Sequence, residues 1–143
     1  MQIYLKIGQW QNWITNKLLH LPYEKNHRMK FDLEKAIEVL ERTPLVIEIL
    51  LKEISDEWTQ SNEGGESWSP YDIVGHYIHG EKTDWIPRME IILSDSSDKT
   101  FEPFDRFAQA KDSKGKSLRQ LLDGFKALRK ENIKKLKSKK LQR

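Results

Sequence analysis

Two histidines three residues apart, His76 and His79, are the side chains of this chain best suited to metal or acid–base chemistry. Imidazole changes charge near neutral pH and is the commonest metal ligand in proteins. On a helix, residues three apart lie about 60° from each other, so both rings could contact one ion. Asp72 lies one turn before His76. On spacing alone, the alternative for His76 is a hydrogen-bonded core histidine. Because a ligand set on a single helix is unusual, we predict that His79 lies at a pocket rim or on the surface.

Other polar residues nearby leave two interpretations open. Glu81 and Asp84 could act as acid–base groups beside a metal, or they could be solvated or paired with basic neighbours. Asp84 and Arg88 have the i, i+4 spacing of a helical ion pair. The chain contains no cysteine, which excludes disulfides, thiolate metal sites and cysteine nucleophiles. His20 and His27 fall in a predicted loop, and we do not expect them to bind metal.

The histidines lie in a stretch that opens with strong helix-start residues. Ser69 is a predicted N-cap, Pro70 occupies the first helical position, and Asp72 lies where the helix dipole favours a negative charge. We predict a helix from Pro70 to about Leu93 that bends at Pro87. One helical face, expected to point inward, carries four residues at spacings of three and four: Ile73, His76, Gly80 and Thr83.

Two further helices are predicted. The first runs from its N-cap Asp32 to about Ser55, with apolar residues at alternating spacings of four and three and a tolerated kink at Pro44. The second begins at Ser117, which forms a capping box with Gln120. Polar loops connect the helices at 54–69 and 94–116. We expect Trp58 and Trp68 to pin the ends of the first loop. In the second, three phenylalanines either line a pocket or simply cap the core: Phe101, Phe104 and Phe107.

The charge distribution argues against nucleic acid as a partner. Residues 29–133 contain 15 basic and 21 acidic residues, whereas both ends of the chain are basic. A nucleic-acid-binding domain should instead carry a basic face on its fold. No apolar run approaches the roughly 20 residues that span a bilayer, and the first 20 residues lack a signal-peptide pattern. We therefore expect a cytoplasmic protein without membrane contact.

Three motifs occur in the order and spacing of a known family: ERTP at 41–44, WSPYDIVGH at 68–76 and TDWIPRM at 83–89. In these motifs the chain resembles the DinB-like (DinB/YfiT) superfamily over residues 29–138. The resemblance implies an all-α, up-down helical bundle with a divalent metal on three histidines. His76 matches the first of these. The other two come from an H-x-x-x-H pair on the fourth helix, and this sequence contains no such pair.

From the resemblance we expect a partial bundle that lacks most of its fourth helix. Residues 1–28 would be an N-terminal extension, 29–138 the bundle and 139–143 a basic tail. The resemblance also implies a zinc or nickel cofactor. The activity would be that of a metal-dependent transferase or hydrolase on an unidentified small molecule, similar to thiol transferases that use bacillithiol or mycothiol. Only His76 carries over as a ligand, so the metal site is expected to be incomplete, and no catalytic or other cofactor-binding residue is predicted.

Whether the chain is an enzyme stays open at this point. The apolar faces of the three predicted helices suit a four-helix bundle, so without a fourth helix an apolar groove would be uncovered. The short helix predicted around Trp10 and Trp13 could fill this groove, two chains could pair across it as a homodimer, or the chain could be a marginal fragment. The alternative function is therefore a non-enzymatic helical interaction module.

Overall fold

The structure is a computed structural model that describes residues 30–139. The chain divides into two units, Met1–Phe31 and Asp32–Arg143, and the description below concerns the second. The predictions for the 1–28 extension, for His20 and His27, and for positions 140–143 of the basic tail lie outside the described residues. The described part folds into six α-helices: α1 Leu33–Leu51, α2 Asp56–Gln60, α3 Pro70–Thr83, α4 Trp85–Leu93, α5 Ala108–Ser113 and α6 Leu118–Ser138.

The three predicted helix starts are confirmed. Asp32 caps α1 by accepting hydrogen bonds from two backbone N–H groups of the first turn, at 3.0 and 3.1 Å. Ser69 and Asp72 form a reciprocal capping box at α3, and Ser117 and Gln120 form another at α6. Each cap satisfies N–H groups that have no partner within the helix and typically contributes about 1 kcal/mol.

Proline affects the helices differently at its two internal positions. Pro44 is buried within α1, which continues past it but ends at Leu51, earlier than predicted. The long helix predicted from Pro70 to Leu93 is instead divided at Asp84 into α3 and α4. Pro87 has no N–H to donate to the carbonyl of Thr83, four residues earlier, so the helical hydrogen bonding is weakest there.

Both predicted loops contain a short helix that the sequence pattern did not indicate. Helix α2 lies in the 54–69 segment and α5 in the 94–116 segment. The prediction that Trp58 pins the first loop is wrong, because its side chain is exposed. Trp68, at the other end of that loop, is half-buried.

Helix α6 is the centre of the bundle, since it packs against both α1 and α3. The core consists of buried residues on α3 and α6, with α1 contributing partly buried ones: Val74, Ile78, Leu121, Leu122 and Phe125, flanked by Ile47 and Leu51. None of the described helices is both long enough and apolar enough to span a bilayer.

The predicted inward face of α3 is wrong for two of its four residues, although Gly80 is buried as expected. Ile73 is 39% exposed and Thr83 is also exposed, whereas Val74, Ile78 and Glu81 are buried against the bundle. The charged Glu81 interrupts the apolar pattern of the true inward face, and this explains the error. His76 lies five residues before Glu81, about 140° around the helix from the true inward face, and is half-buried.

Candidate functional site

The two imidazoles of α3 lie among the aromatic rings of Trp68 and Phe104, and this cluster is called the recess below. The His76 ring centroid lies 4.8 Å from the centroid of the Trp68 ring and 5.3 Å from that of Phe104. The His79 ring lies 5.0 Å from the same Phe104 ring. His79 is only 8% exposed, so of the two predicted positions, a pocket rim or the surface, the surface is wrong. The rings hold both imidazoles in place and limit the access of water to them.

Each imidazole has one buried nitrogen that lacks a hydrogen-bond partner within residues 30–139. These atoms are His76 Nδ1 and His79 Nδ1. The Thr83 hydroxyl donates to the His79 carbonyl oxygen at 2.9 Å and lies 3.4 Å from His79 Nε2. Because the Thr83 hydroxyl hydrogen is used in the bond to the carbonyl, its oxygen can only accept from His79 Nε2. The contact therefore suits the His79 tautomer with the proton on Nε2, and Nδ1 is then an acceptor without a donor. Leaving a buried polar atom unpaired costs about 1–3 kcal/mol, so both atoms are suited to a ligand.

The surroundings of His76 favour its neutral form. Burial of the ring lowers its pKa below the ordinary value of 6.5, and the nearby His79 and Arg106 lower this pKa further. Asp84 has the opposite but smaller effect. A neutral imidazole at pH 7 is the form that binds a metal ion.

The described residues do not by themselves fit a divalent metal. Within residues 30–139, no group of three or more histidine, aspartate or glutamate side chains is placed to hold one ion. Asp72 is committed to its capping box, where one carboxylate oxygen accepts from the N–H and the hydroxyl of Ser69. Asp84 is paired with Arg88 at 2.5 Å, which confirms the i, i+4 alternative for this residue. A catalytic metal needs about three protein ligands, and these residues supply two imidazoles.

Glu81 is not beside the imidazoles but in a buried ion pair that the sequence did not indicate. It is 3% exposed, and its Oε1 lies 2.6 Å from Arg129 Nη2 and accepts from Arg129 Nε at 2.8 Å. Asn132 Nδ2 donates to Glu81 Oε2 at 2.9 Å and to its backbone carbonyl at 2.7 Å. With both oxygens occupied, Glu81 joins α3 to α6 and is not available as an acid–base group.

The three phenylalanines of the 94–116 segment have different roles. Phe104 contacts both imidazoles and therefore lines the recess. Phe107 is largely exposed and lies edge-on to Trp68, with 6.3 Å between the ring centroids. Phe101 instead lies under the guanidinium of Arg88, at 5.0 Å. Phe104 is thus the phenylalanine that contacts the imidazoles, and the choice between pocket lining and core capping stays a prediction.

Comparison with known proteins adds information about the fold. No family model matches the chain, and no curated protein sequence matches it. Among solved structures, it is similar to YfiT from Bacillus subtilis, with a TM-score of 0.65 and 20% sequence identity over 83% of this chain and 70% of YfiT. The chain has a DinB/YfiT-like fold. YfiT is described as a probable metal-dependent hydrolase with an unusual four-helix bundle topology. The expected helical-bundle fold is therefore confirmed.

Proposed function

We propose that this protein is a metal-dependent hydrolase or thiol-transferase-like enzyme in which His76 is one ligand of a divalent zinc or nickel ion. The observation that carries the proposal is the buried Nδ1 of His76, which has no hydrogen-bond partner among residues 30–139 and lies beside the Trp68 ring. Support also comes from the fold shared with YfiT, a protein described as a probable metal-dependent hydrolase. The nature of the small-molecule substrate is not part of this proposal.

The residues of the recess have distinct roles in the proposed site. His76 is neutral at pH 7 and presents a nitrogen to the ion, while Trp68 and Phe104 fix the orientation of its ring. His79, whose ring contacts the same Phe104 ring, is the second candidate donor. Because residues 30–139 hold no third donor, further ligands have to come from outside them.

Metal content tests the proposal. Purified, tag-free protein is stripped with a chelator, dialysed against zinc or nickel, and analysed by elemental analysis and calorimetry. We expect about one ion per chain, bound more weakly by at least tenfold in His76→Ala. Phe104→Leu is the matched control, since it removes a wall of the recess but no donor, and it should keep the ion. No stoichiometric binding, or equal binding by His76→Ala, would refute the proposal.

A second candidate function is a helical interaction module that forms a homodimer. It is favoured by α1, whose outer face carries four apolar side chains, each more than half exposed: Val39, Val46, Ile49 and Leu50. This face is opposite the buried Ile37 and Pro44, so α1 is apolar on two sides. A helix with two apolar faces is suited to packing between partners, and exposed apolar patches of this kind mark interaction surfaces.

Self-association tests this second candidate. Sedimentation or light scattering of the full chain at several concentrations should show a dimer that the double variant Val46→Glu/Ile49→Glu dissociates. Ile92→Glu is a control, because Ile92 is equally exposed but lies on α4. A monomer at all concentrations, or a dimer that the double variant leaves intact, would exclude this use of the α1 face.

A further inference from the structure

We propose that the recess at His76 receives the anionic group of its ligand, and that Arg106 is the residue that selects for this charge. The inference rests on the proposed site and extends it to the chemical class of the ligand, a small planar carboxylate or similar anion. It follows from the placement of one arginine and from the charges around the imidazoles.

Arg106 is held over the rim of the recess by two aromatic rings. Its guanidinium carbon lies 5.2 Å from the Trp68 ring centroid and 5.1 Å from that of Phe107. Trp68 is also the ring that contacts His76, so the same indole joins the cation and the imidazole. Stacking on aromatic faces orients a guanidinium while leaving its N–H donors free, because the rings do not use them.

The charge of Arg106 is not neutralised within the described part of the chain. None of the carboxylates in residues 30–139 forms an ion pair with it, although nine other ion pairs are present there. The adjacent Asp105 is one of the carboxylates without an ion pair to Arg106, and its Oδ1 accepts a hydrogen bond from the backbone N–H of Phe107 at 2.9 Å. An arginine with five free donors is well suited to a carboxylate, which it can bind with two hydrogen bonds.

The rest of the recess adds no negative charge that would oppose an anion. Its imidazoles are neutral or positive, and its walls are Trp68 and Phe104. Asp84, the carboxylate whose charge raises the pKa of His76, is paired with Arg88. An anion on Arg106 would therefore meet attraction from the guanidinium and little repulsion.

Two probes that share a shape but differ in charge test the proposal: benzoate and benzamide. Both are titrated at pH 7.5 into the metal-free full chain, and binding is followed through the NMR resonances of the His76 imidazole and the Trp68 indole N–H. These resonances are assigned with His76→Gln and Trp68→Phe. We expect saturable chemical-shift changes with benzoate. Benzamide should bind about tenfold more weakly, because it lacks the charge that strengthens the hydrogen bonds to Arg106.

Three variants locate the selecting charge. Arg106→Gln should remove the tenfold preference for benzoate over benzamide, and Arg106→Lys should keep part of it. Lys111→Gln removes an exposed cation from the neighbouring α5 and should leave the preference unchanged. Equal binding of the two probes, absence of binding, or an unchanged preference in Arg106→Gln would overturn the proposal. Because the titration is done without metal, its result is independent of the metal-content experiment, and either proposal can fail alone.

Discussion

Replacing Glu81 with alanine should destabilise the protein more than any other single change to a charged residue of α3. The side chains of Glu81 and Arg129 are 2% and 11% exposed, and they meet at 2.6 Å. Without Glu81, the guanidinium keeps only its hydrogen bond to the Leu40 carbonyl, at 3.3 Å, and Asn132 loses its contact with the carboxylate. Leaving one member of a buried ion pair without its partner costs about 3–5 kcal/mol.

The pair itself should contribute much less than this loss, because burying both charges removes their hydration. Replacing both partners with apolar residues of similar size is often neutral or stabilising. We therefore expect Glu81→Met and Arg129→Met each to cost several kcal/mol, and the double variant Glu81→Met/Arg129→Met to unfold close to the wild-type midpoint. A double-mutant cycle measures this non-additivity directly.

Urea unfolding followed by far-UV circular dichroism is the assay. With a slope of about 2 kcal/mol per molar urea, a loss of 4 kcal/mol moves the midpoint by about 2 M. Glu48→Ala is the control, since it breaks the more exposed ion pair with Lys126 at 2.9 Å, and it should shift the urea midpoint far less than Glu81→Ala. If the Glu81 and Glu48 variants lost equal stability, or if the double variant showed the sum of its single effects, the reasoning would be wrong.

Four further outcomes are expected. Ser69→Ala should cost about 1 kcal/mol in urea unfolding, because it removes the N-cap of α3. Gly75→Ala should cost about 1–3 kcal/mol, since its new methyl group would collide with Ser113. Gly124→Ala should instead be neutral or stabilise α6 by up to about 1 kcal/mol, because the added carbon would stand 3.7 Å from its nearest neighbour. The pKa of His76, measured by NMR, should lie below 6.5. The folded state then binds fewer protons than the unfolded state just below that pH, so the contribution of His76 to stability is complete above pH 6.5 and declines as the pH falls towards the lowered pKa.

The helix starts could be predicted from the sequence because each one is a local interaction. A cap joins residues at most three positions apart, as Ser69 joins Asp72 and Ser117 joins Gln120. The fold class could be predicted for a similar reason, since the apolar spacing of α1 and α6 requires a packed partner on one side. The resemblance to the DinB/YfiT superfamily led to the same fold, and structural similarity to YfiT confirms it.

The errors concern interactions between residues distant in sequence. The burial of Glu81 depends on Arg129, 48 residues later, and the burial of His79 depends partly on Phe104, in a segment whose path the sequence does not define. A glutamate in a helix is usually solvated, so the sequence favoured an exposed position for Glu81. The misplaced inward face of α3 has the same origin, because a buried charge at position 81 looks like a break in the apolar face.

These errors have one physical cause, the rotation of α3 about its own axis. The ion pair between Glu81 and Arg129 fixes this rotation by holding one side of α3 against α6. His76 is five residues before Glu81 and therefore lies about 140° around the helix, away from α6 and towards the aromatic segment. If α3 turned by one residue, His76 would leave its contacts with Trp68 and Phe104. The buried pair, together with the core residues Val74 and Ile78 on the same side of α3, thus keeps His76 turned towards the aromatic segment. Its removal in the double variant Glu81→Met/Arg129→Met should preserve stability but broaden or shift the His76 imidazole resonance.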